Sequence, residues 1–344
     1  MYTDFFGLQR LPFNLTPDPA FLFLPMKHRE ALAGLTYAIL ERKGFVVLTG
    51  DAGTGKTTLI SSVLNRLPPD RVESSIVLNP TLTASEFLEG VLLDFDITDV
   101  PESKAQRLWK LQEFLARIHN ENRLAVLVID EAHKLSLEVL EEVRLLGNFE
   151  SATGKYLQIL LLGQPELDDV LNRHDLRQLK QRIALRLYID RLTASEVQQY
   201  IQFRWAKGGA NGPPPLTVDA IAGIVQWSQG IPRLINSLCD TALLMAYGDE
   251  SPLVGLNYVR AAATNLALTG TTPSLALLPH SGIASVEKTN GSSKLAAMEI
   301  PEQSRVHTNF PHDGGVVPNF AGYGDAKANS SLLKRLAEKF GLPQ

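Results

Sequence analysis

The chain has 344 residues, of which 44% are apolar and 20% charged, a composition that predicts two folded domains with further segments. Its formal net charge of -4 gives no global electrostatic case for binding nucleic acid, although a local basic patch remains compatible with it. A single cysteine excludes an internal disulfide and fits a reducing cytoplasm. We identify no signal-peptide pattern and no apolar run near the ~20 residues that cross a bilayer, so neither feature is expected.

The first 44 residues predict a segment that packs on a core rather than folding alone. Aromatic residues and prolines crowd the stretch before residue 26. A helix is predicted from His28 to Arg42, because Leu32, Leu35 and Ile39 recur at helical spacing. We call residues 1–24 the lead and expect residues 1–44 to lie against a larger domain.

A glycine-rich segment, GDAGTGKT, follows the strand predicted at Phe45–Leu48 and precedes a helix predicted from Thr58 to Leu67. It matches the phosphate-binding pattern G-x-x-x-x-G-K-[ST] in the strand and helix context that gives the pattern meaning. Its glycines let successive N–H groups face phosphates at the positive end of the helix. The alternative is a glycine-rich turn with a chance Lys-Thr pair. We predict that the nucleotide is bound by Gly50, Asp51, Ala52, Gly53, Thr54, Gly55, Lys56, Thr57 and Thr58.

A second motif, LAVLVIDEAH, ends an apolar strand in two acids. Acids at the carboxyl end of a parallel strand lie where open α/β sheets bind ligands. We expect Lys56 to reach the β- and γ-phosphates, Thr57 and Asp130 to hold Mg²⁺, and Glu131 to polarise the attacking water. Capping of a helix from about residue 136 is the alternative for the two acids. His133 fits a surface or supporting role as well as one near the phosphate.

Strands and helices alternate between residues 45 and 191. Strands are predicted at Phe45–Leu48, Ser75–Leu78, Leu124–Ile129, Leu157–Leu162 and Leu185–Ile189. This alternation is typical of a parallel sheet and predicts an α/β domain over residues 45–191. The pattern beyond is purely helical and predicts a small second domain over 192–268, with helices at Ala194–Lys207, Val218–Gln229, Arg233–Tyr247 and Leu256–Leu266.

The composition changes again near residue 269. Residues 269–329 are rich in Gly, Ser, Thr, Asn and Pro, which predicts a disordered linker. Residues 330–344 predict an amphipathic tail helix with Leu332, Leu333, Leu336 and Phe340 on one face. Such a helix suits docking to a partner or a membrane surface. Packing on the chain's own folded part is the alternative.

Longer strings of this sequence carry a family resemblance, among them FFGLQRLPFNLTPDP, GDAGTGKTTL, VLVIDEAHKLSLEVLEEVRLLGNFE, LLLGQPEL and GIPRLINSLCDTALL. Over roughly residues 1–266 they resemble the AAA+ ATPases of the general-secretion-pathway protein A family. The resemblance implies a phosphate-loop NTPase fold with a five-stranded parallel sheet and an all-helical lid. It also implies ATP and Mg²⁺ as cofactors, homo-oligomers, and a protein partner in the envelope or a secretion system.

The resemblance assigns three further site residues. Gln164 matches the sensor 1 position, with a turn residue before the following proline as the alternative. Arg182 matches the arginine finger that reaches a neighbouring subunit's nucleotide, with Arg177 and Arg186 as rivals. Arg233 matches sensor 2, which closes over the β- and γ-phosphates.

Secretion-type relatives commonly continue into a transmembrane segment and a periplasmic domain, and we expect this chain to lack both. The leading hypothesis is a cytoplasmic ATPase, peripheral at the inner membrane, that drives or regulates assembly of an envelope complex. A DNA-binding transposition ATPase resembling MuB and TniB is one alternative. A nucleotide-gated scaffold with little turnover is another, against which the intact Glu131 argues.

Overall fold

The computed structural model describes residues 2–268 apart from positions 17, 69, 79, 80 and 153. The predicted linker 269–329 and tail helix 330–344 lie outside the described residues. The strands are β1 (Phe45–Gly50), β2 (Val72–Val77), β3 (Leu124–Ile129), β4 (Glu150–Ser151), β5 (Gly154–Lys155), β6 (Leu157–Gly163) and β7 (Ile183–Ile189). The helices are α1 (Tyr2–Phe5), α2 (Met26–Leu40), α3 (Lys56–Arg66), α4 (Ala84–Asp94), α5 (Lys104–Asn120), α6 (Leu137–Leu146), α7 (Glu166–Leu171), α8 (Arg177–Lys180), α9 (Ala194–Lys207), α10 (Val218–Ser228), α11 (Pro232–Gly248) and α12 (Leu256–Asn265).

A five-stranded sheet in the order β2-β3-β6-β1-β7 forms the centre of the α/β part, and all its pairings are parallel. The three inner strands are buried along their whole length, because helices cover both faces. Their continuous apolar runs follow from that double burial. The prediction of an α/β phosphate-loop fold with a five-stranded parallel sheet is confirmed.

Strand β2 begins at Val72, earlier than the predicted start at Ser75. Its first residues pair in register with β3, from Val72 with Leu124 onward. Glu73 and Ser74 are polar and carry no apolar strand signal, so backbone pairing at the sheet edge sets the boundary. A short antiparallel hairpin of β4 and β5 was also not predicted.

The lead packs on helices α9–α12, and we call residues 192–268 that contain them the helical part. Helix α2 packs on the sheet instead. Tyr2, Leu8 and Phe13 belong to one buried cluster with Trp205 of α9 and Leu238 of α11. The buried residues of α2 instead share a cluster with α3 and the sheet. The segment 1–44 is therefore divided between two units, and the lead crosses from one to the other.

The carboxyl ends of β3, β6, β1 and β7 lie side by side at one edge of the sheet. Asp130 follows β3, Gln164 follows β6, the glycine-rich loop follows β1, and Arg191 comes shortly after β7. Parallel strands thus bring side chains from four separate stretches of sequence to one crevice. Among the helices described, none is both long and apolar enough to cross a membrane.

Candidate nucleotide-binding site

A cleft of about 420 Å³ lies at this edge of the sheet. One wall is the glycine-rich loop and the start of α3, from Gly53 to Thr58, together with Glu131. Residues 14–16 and 21–23 of the lead also line the cleft, and the helical part contributes side chains that include Arg233. Three regions of the chain therefore form one cavity between the sheet and the helices.

Glycines allow the loop to follow its path between β1 and α3. Gly53 and Gly55 have φ of 80° and 99°, in the left-handed region that favours glycine. At Gly50 a Cβ atom would lie 2.6 Å from the carbonyl oxygen of Ile189, so a side chain there would push β7 away. Within the loop, Thr54 Oγ1 donates to the Asp51 carbonyl at 2.8 Å. The loop is thus held in shape by contacts of its own and of the neighbouring strand.

Lys56 begins α3 and is almost fully buried, with 5% of its surface exposed. Its Nζ donates to the carbonyl oxygens of Gly50 at 2.7 Å and Asp51 at 3.0 Å. Burial lowers the pKa of this amine, and the nearby charges of Glu131 and Asp130 oppose the shift. The geometry places a cation inside the loop, close to the two acids of the second motif.

Thr57 and Asp130 are in direct contact, although they lie far apart in sequence. Thr57 Oγ1 donates to Asp130 Oδ2 at 2.6 Å. Asp130 Oδ1 accepts from the backbone N–H of Glu131 at 2.8 Å, which fixes the carboxylate at the end of β3. A hydroxyl and a carboxylate oxygen suit Mg²⁺, which needs few protein ligands when phosphates and water supply the rest. These two residues therefore fit a magnesium ion.

The alternative reading of the two acids as helix caps is wrong. Helix α6 starts at Leu137, and its cap is Ser136, whose Oγ accepts from the Val139 N–H at 3.2 Å. Asp130 and Glu131 lie before a separate turn of 3-10 helix, Ala132–Lys134. Both carboxylates are free of a capping role.

Glu131 carries its carboxylate beside Gln164 and His133. Gln164 Nε2 donates to Glu131 Oε2 at 3.3 Å, and His133 Nε2 lies 3.5 Å from the same oxygen. Gln164 reaches this position because β6 lies between β3 and β1 in the sheet. The structure thus brings the predicted sensor 1 residue into contact with the predicted catalytic acid. It also places His133, whose role the sequence analysis left open, beside the same carboxylate.

Arg233 lies at the start of α11 and lines the cleft. Its backbone N–H donates to the Gly53 carbonyl at 3.3 Å. A Cβ atom at Gly53 would lie 2.9 Å from the Cβ of Arg233, so the glycine permits this close approach. The helical part therefore contacts the phosphate loop through the predicted sensor 2 residue.

The candidate arginine fingers lie outside the cleft of this chain. Arg182 donates to the Arg144 carbonyl at 3.0 Å, at the end of α6. Arg186 is ion-paired with Asp168, and Arg177 is exposed. The roles predicted for these residues remain predictions.

Arg204 is a site residue that the sequence analysis missed. It lies on α9, has 7% of its surface exposed and lines the cleft. Its guanidinium donates to the carbonyls of Pro12 at 2.5 Å and Asn14 at 3.2 Å and to the Tyr200 hydroxyl at 3.0 Å. It also stacks on Phe21, 5.0 Å from the ring centroid. A buried cation of the helical part therefore contacts the lead where the lead lines the cleft.

Arg191 and His28 were also missed. Arg191 Nε donates to the Asp51 carboxylate at 2.5 Å, and its Nη1 donates to Oε1 of Gln229 in the helical part at 2.8 Å. His28, buried on α2, has Nε2 3.2 Å from the Thr54 carbonyl. Burial lowers the pKa of His28. The only sequence signal for either residue was its closeness to a predicted boundary, and that signal does not identify a partner.

Comparisons with known proteins agree with this architecture. Residues 39–171 match the AAA domain family. The chain is 41% identical over 253 residues to general secretion pathway protein A of Aeromonas hydrophila. The aligned region is 73% of this chain and 46% of that protein. The chain thus spans less than half the length of that relative.

Solved structures share the fold at low sequence identity. Cdc6p from Pyrobaculum aerophilum matches with a TM-score of 0.59 and 17% identity over 74% of this chain and 72% of that one. A Drosophila ORC structure bound to DNA matches with a TM-score of 0.56 and 19% identity over 74% and 64%. At such identities the likeness extends to the fold alone. The chain therefore has a phosphate-loop α/β fold, with a match to the AAA domain family over residues 39–171 and sequence similarity to general secretion pathway protein A.

Proposed function

We propose that this chain binds ATP together with Mg²⁺ in the cleft and hydrolyses it. The contact that carries the proposal is the 2.6 Å hydrogen bond between Thr57 and Asp130, which joins the two predicted motifs. Because β1 and β3 are separated by β6 in the sheet, only the folded chain brings these residues together. Lys56 on the same helix turn adds the cation that phosphates require.

The side chains divide the reaction between them. Lys56 and the loop N–H groups bind the β- and γ-phosphates, and Arg233 closes the cleft from the helical part. Glu131 accepts a proton from a water molecule as the water oxygen bonds to the γ-phosphorus, and the bond to the ADP oxygen breaks. Bound Mg²⁺ would supply charge neutralisation on the phosphates. Gln164, in contact with Glu131, orients that water.

We further propose that residues 45–191 act as the nucleotide-binding domain and 192–268 as its lid. Arg182 lies outside its own cleft, which supports a role on the nucleotide of a neighbouring copy in a homo-oligomer. The relationship to general secretion pathway protein A supports a task in assembling a secretion or envelope complex at the inner membrane. Residues 330–344, for which the sequence predicts an amphipathic helix, would then provide contact with the membrane surface.

Nucleotide binding tests the site directly. Lys56→Ala should reduce the affinity for a fluorescent ATP analogue by at least ten-fold, since about 1.4 kcal/mol of lost interaction already gives that factor. Lys27→Ala is the matched control, because Lys27 is a 61% exposed lysine that pairs with Glu30 on its own helix. A folded Lys56→Ala protein with unchanged affinity would contradict the site assignment.

Turnover tests the chemistry separately. Glu131→Gln should keep ATP affinity and lose phosphate release, because the amide retains the shape of the acid but cannot accept the proton. Wild-type phosphate release in this variant would remove Glu131 from the mechanism. Tight ATP binding without release by the wild-type protein would favour the nucleotide-gated scaffold.

A further inference from the structure

His133 lies between the carboxylate of Glu131 and the backbone of Gln164. Its side chain is 11% exposed. The residue lies in the short 3-10 helix Ala132–Lys134. Glu131, directly before this turn, has φ of 53°, a left-handed conformation that is uncommon for a residue other than glycine. That bend turns the chain out of β3 and brings the imidazole back towards the Glu131 carboxylate.

The contacts of His133 favour one tautomer of the neutral ring. The backbone N–H of Gln164 donates to Nδ1 at 3.4 Å. A neutral imidazole that accepts at Nδ1 carries its hydrogen on Nε2. Nε2 is 3.5 Å from Glu131 Oε2, and Gln164 Nε2 is 3.3 Å from the same oxygen. Gln164 Nε2 also lies 3.4 Å from His133 Nε2; with the hydrogen on Nε2 both nitrogens are donors, so they do not bond to each other and both lie beside the single acceptor Glu131 Oε2.

The two oxygens of the Glu131 carboxylate differ in their contacts. In the described part of the chain, the hydrogen bonds and ion pairs of the Glu131 carboxylate are all made by Oε2. The third of them is a 3.6 Å ion pair with Lys134, which is 54% exposed and therefore contributes little. Oε1 takes part in none of these contacts. A general base needs this kind of orientation, with one oxygen aimed at the proton it accepts.

We propose that His133 is a positioning residue for hydrolysis: its Nε2–H holds Glu131 Oε2 so that Oε1 faces the attacking water. The inference rests on the proposed ATPase function. It assigns His133 no contact with the nucleotide, so ATP affinity should not depend on it. Loss of the imidazole should lower kcat, because misplacement of a catalytic group by about 1 Å costs up to a hundred-fold.

Three substitutions of His133 distinguish the contact of Nε2 with Glu131 from the contact of Nδ1 with the Gln164 backbone. Glutamine places an amide nitrogen near the position of Nε2, whereas asparagine places an oxygen near the position of Nδ1. We expect His133→Ala and His133→Asn to lower kcat about ten-fold with ATP affinity within about two-fold of wild type. His133→Gln should recover most of the turnover. Phosphate release at saturating ATP and binding of a fluorescent ATP analogue provide the two measurements.

His174→Ala is the matched control, because His174 is exposed on another 3-10 turn, His174–Leu176, and should leave both values unchanged. Wild-type kcat in His133→Ala would overturn the proposal, as would a loss of ATP affinity equal to the loss of kcat. Recovery by asparagine rather than glutamine would also overturn it, since the bond to the Gln164 backbone would then carry the effect. If His133→Ala does not fold, the glutamine and asparagine variants decide. A wild-type protein that binds ATP without releasing phosphate would refute the proposed hydrolysis instead.

Discussion

Replacing Arg204 with methionine tests whether a buried cation holds the lead in the cleft wall. The substitution keeps the length and apolar character of the side chain but removes every donor. The carbonyls of Pro12 and Asn14 and the Tyr200 hydroxyl then lose the guanidinium that they contact. Because these carbonyls belong to the lead, we expect its packing on α9 to loosen.

The structure gives the size of the effect. Hydrogen bonds from a charged group contribute about 1.5–3 kcal/mol each, and buried acceptors left without a partner add to the cost. Relief from burying the charge offsets part of this loss. We therefore expect the free energy of unfolding to fall by about 3 kcal/mol. ATP affinity should fall as well, since residues 14–16 line the cleft.

Arg10→Met is the matched control for this experiment. Arg10 stacks on the same Phe21 ring, at 5.1 Å compared with 5.0 Å for Arg204, but its side chain is 57% exposed. Its ion pair with Asp18 is long, at 3.8 Å, so its loss should cost under about 1 kcal/mol. Urea unfolding of the two variants and the wild type measures the difference. Equal losses in the two variants, or a loss under about 1 kcal/mol for Arg204→Met, would refute the reasoning.

Three further predictions concern the oligomer, a buried histidine and the C-terminal part. Arg182→Ala should bind ATP normally but lose stimulated hydrolysis, and mixing it with Lys56→Ala should restore some phosphate release across interfaces; no recovery with normal assembly would point to another arginine. Burial lowers the pKa of His28 below its ordinary value of 6.5, so as the pH falls the unfolded chain binds the proton first and the free energy of unfolding decreases. His28→Gln should therefore lose stability less steeply in urea titrations between about pH 7 and pH 5, and identical slopes would contradict this. Deletion of residues 269–344 should leave ATP affinity and basal phosphate release unchanged, because every proposed site residue precedes them; reduced release would show that they take part.

Local patterns were sufficient to predict the inner strands of the sheet. The inner strands are buried on both faces, so their sequences are continuous apolar runs that stand out from the helices around them. The edge strand β2 was predicted only in part, because Glu73 and Ser74 gain their strand conformation from pairing with β3. Pairing partners are distant in sequence, and a single run of residues does not identify them.

The site residues likewise include some that local sequence predicts and some that it does not. Lys56, Thr57 and Asp130 were predicted because each stands at a fixed spacing from glycines or from a strand end. Arg204 was missed because its partner carbonyl, that of Pro12, lies 192 positions away. A buried arginine on a helix has no local signature that distinguishes it from an exposed one, and only the packing of the lead against α9 shows its role.

In the described part of the chain, two hydrogen-bonded connections join the phosphate loop to the helical part, one direct and one through Arg191. Arg191 connects the Asp51 carboxylate to Gln229, and the N–H of Arg233 donates to the Gly53 carbonyl. A change in loop conformation must therefore alter the contacts of the helical part. Coupling of this kind is reciprocal in free energy. Whatever shifts the helical part, including a partner that binds there, thus changes the stability of the loop that carries Lys56.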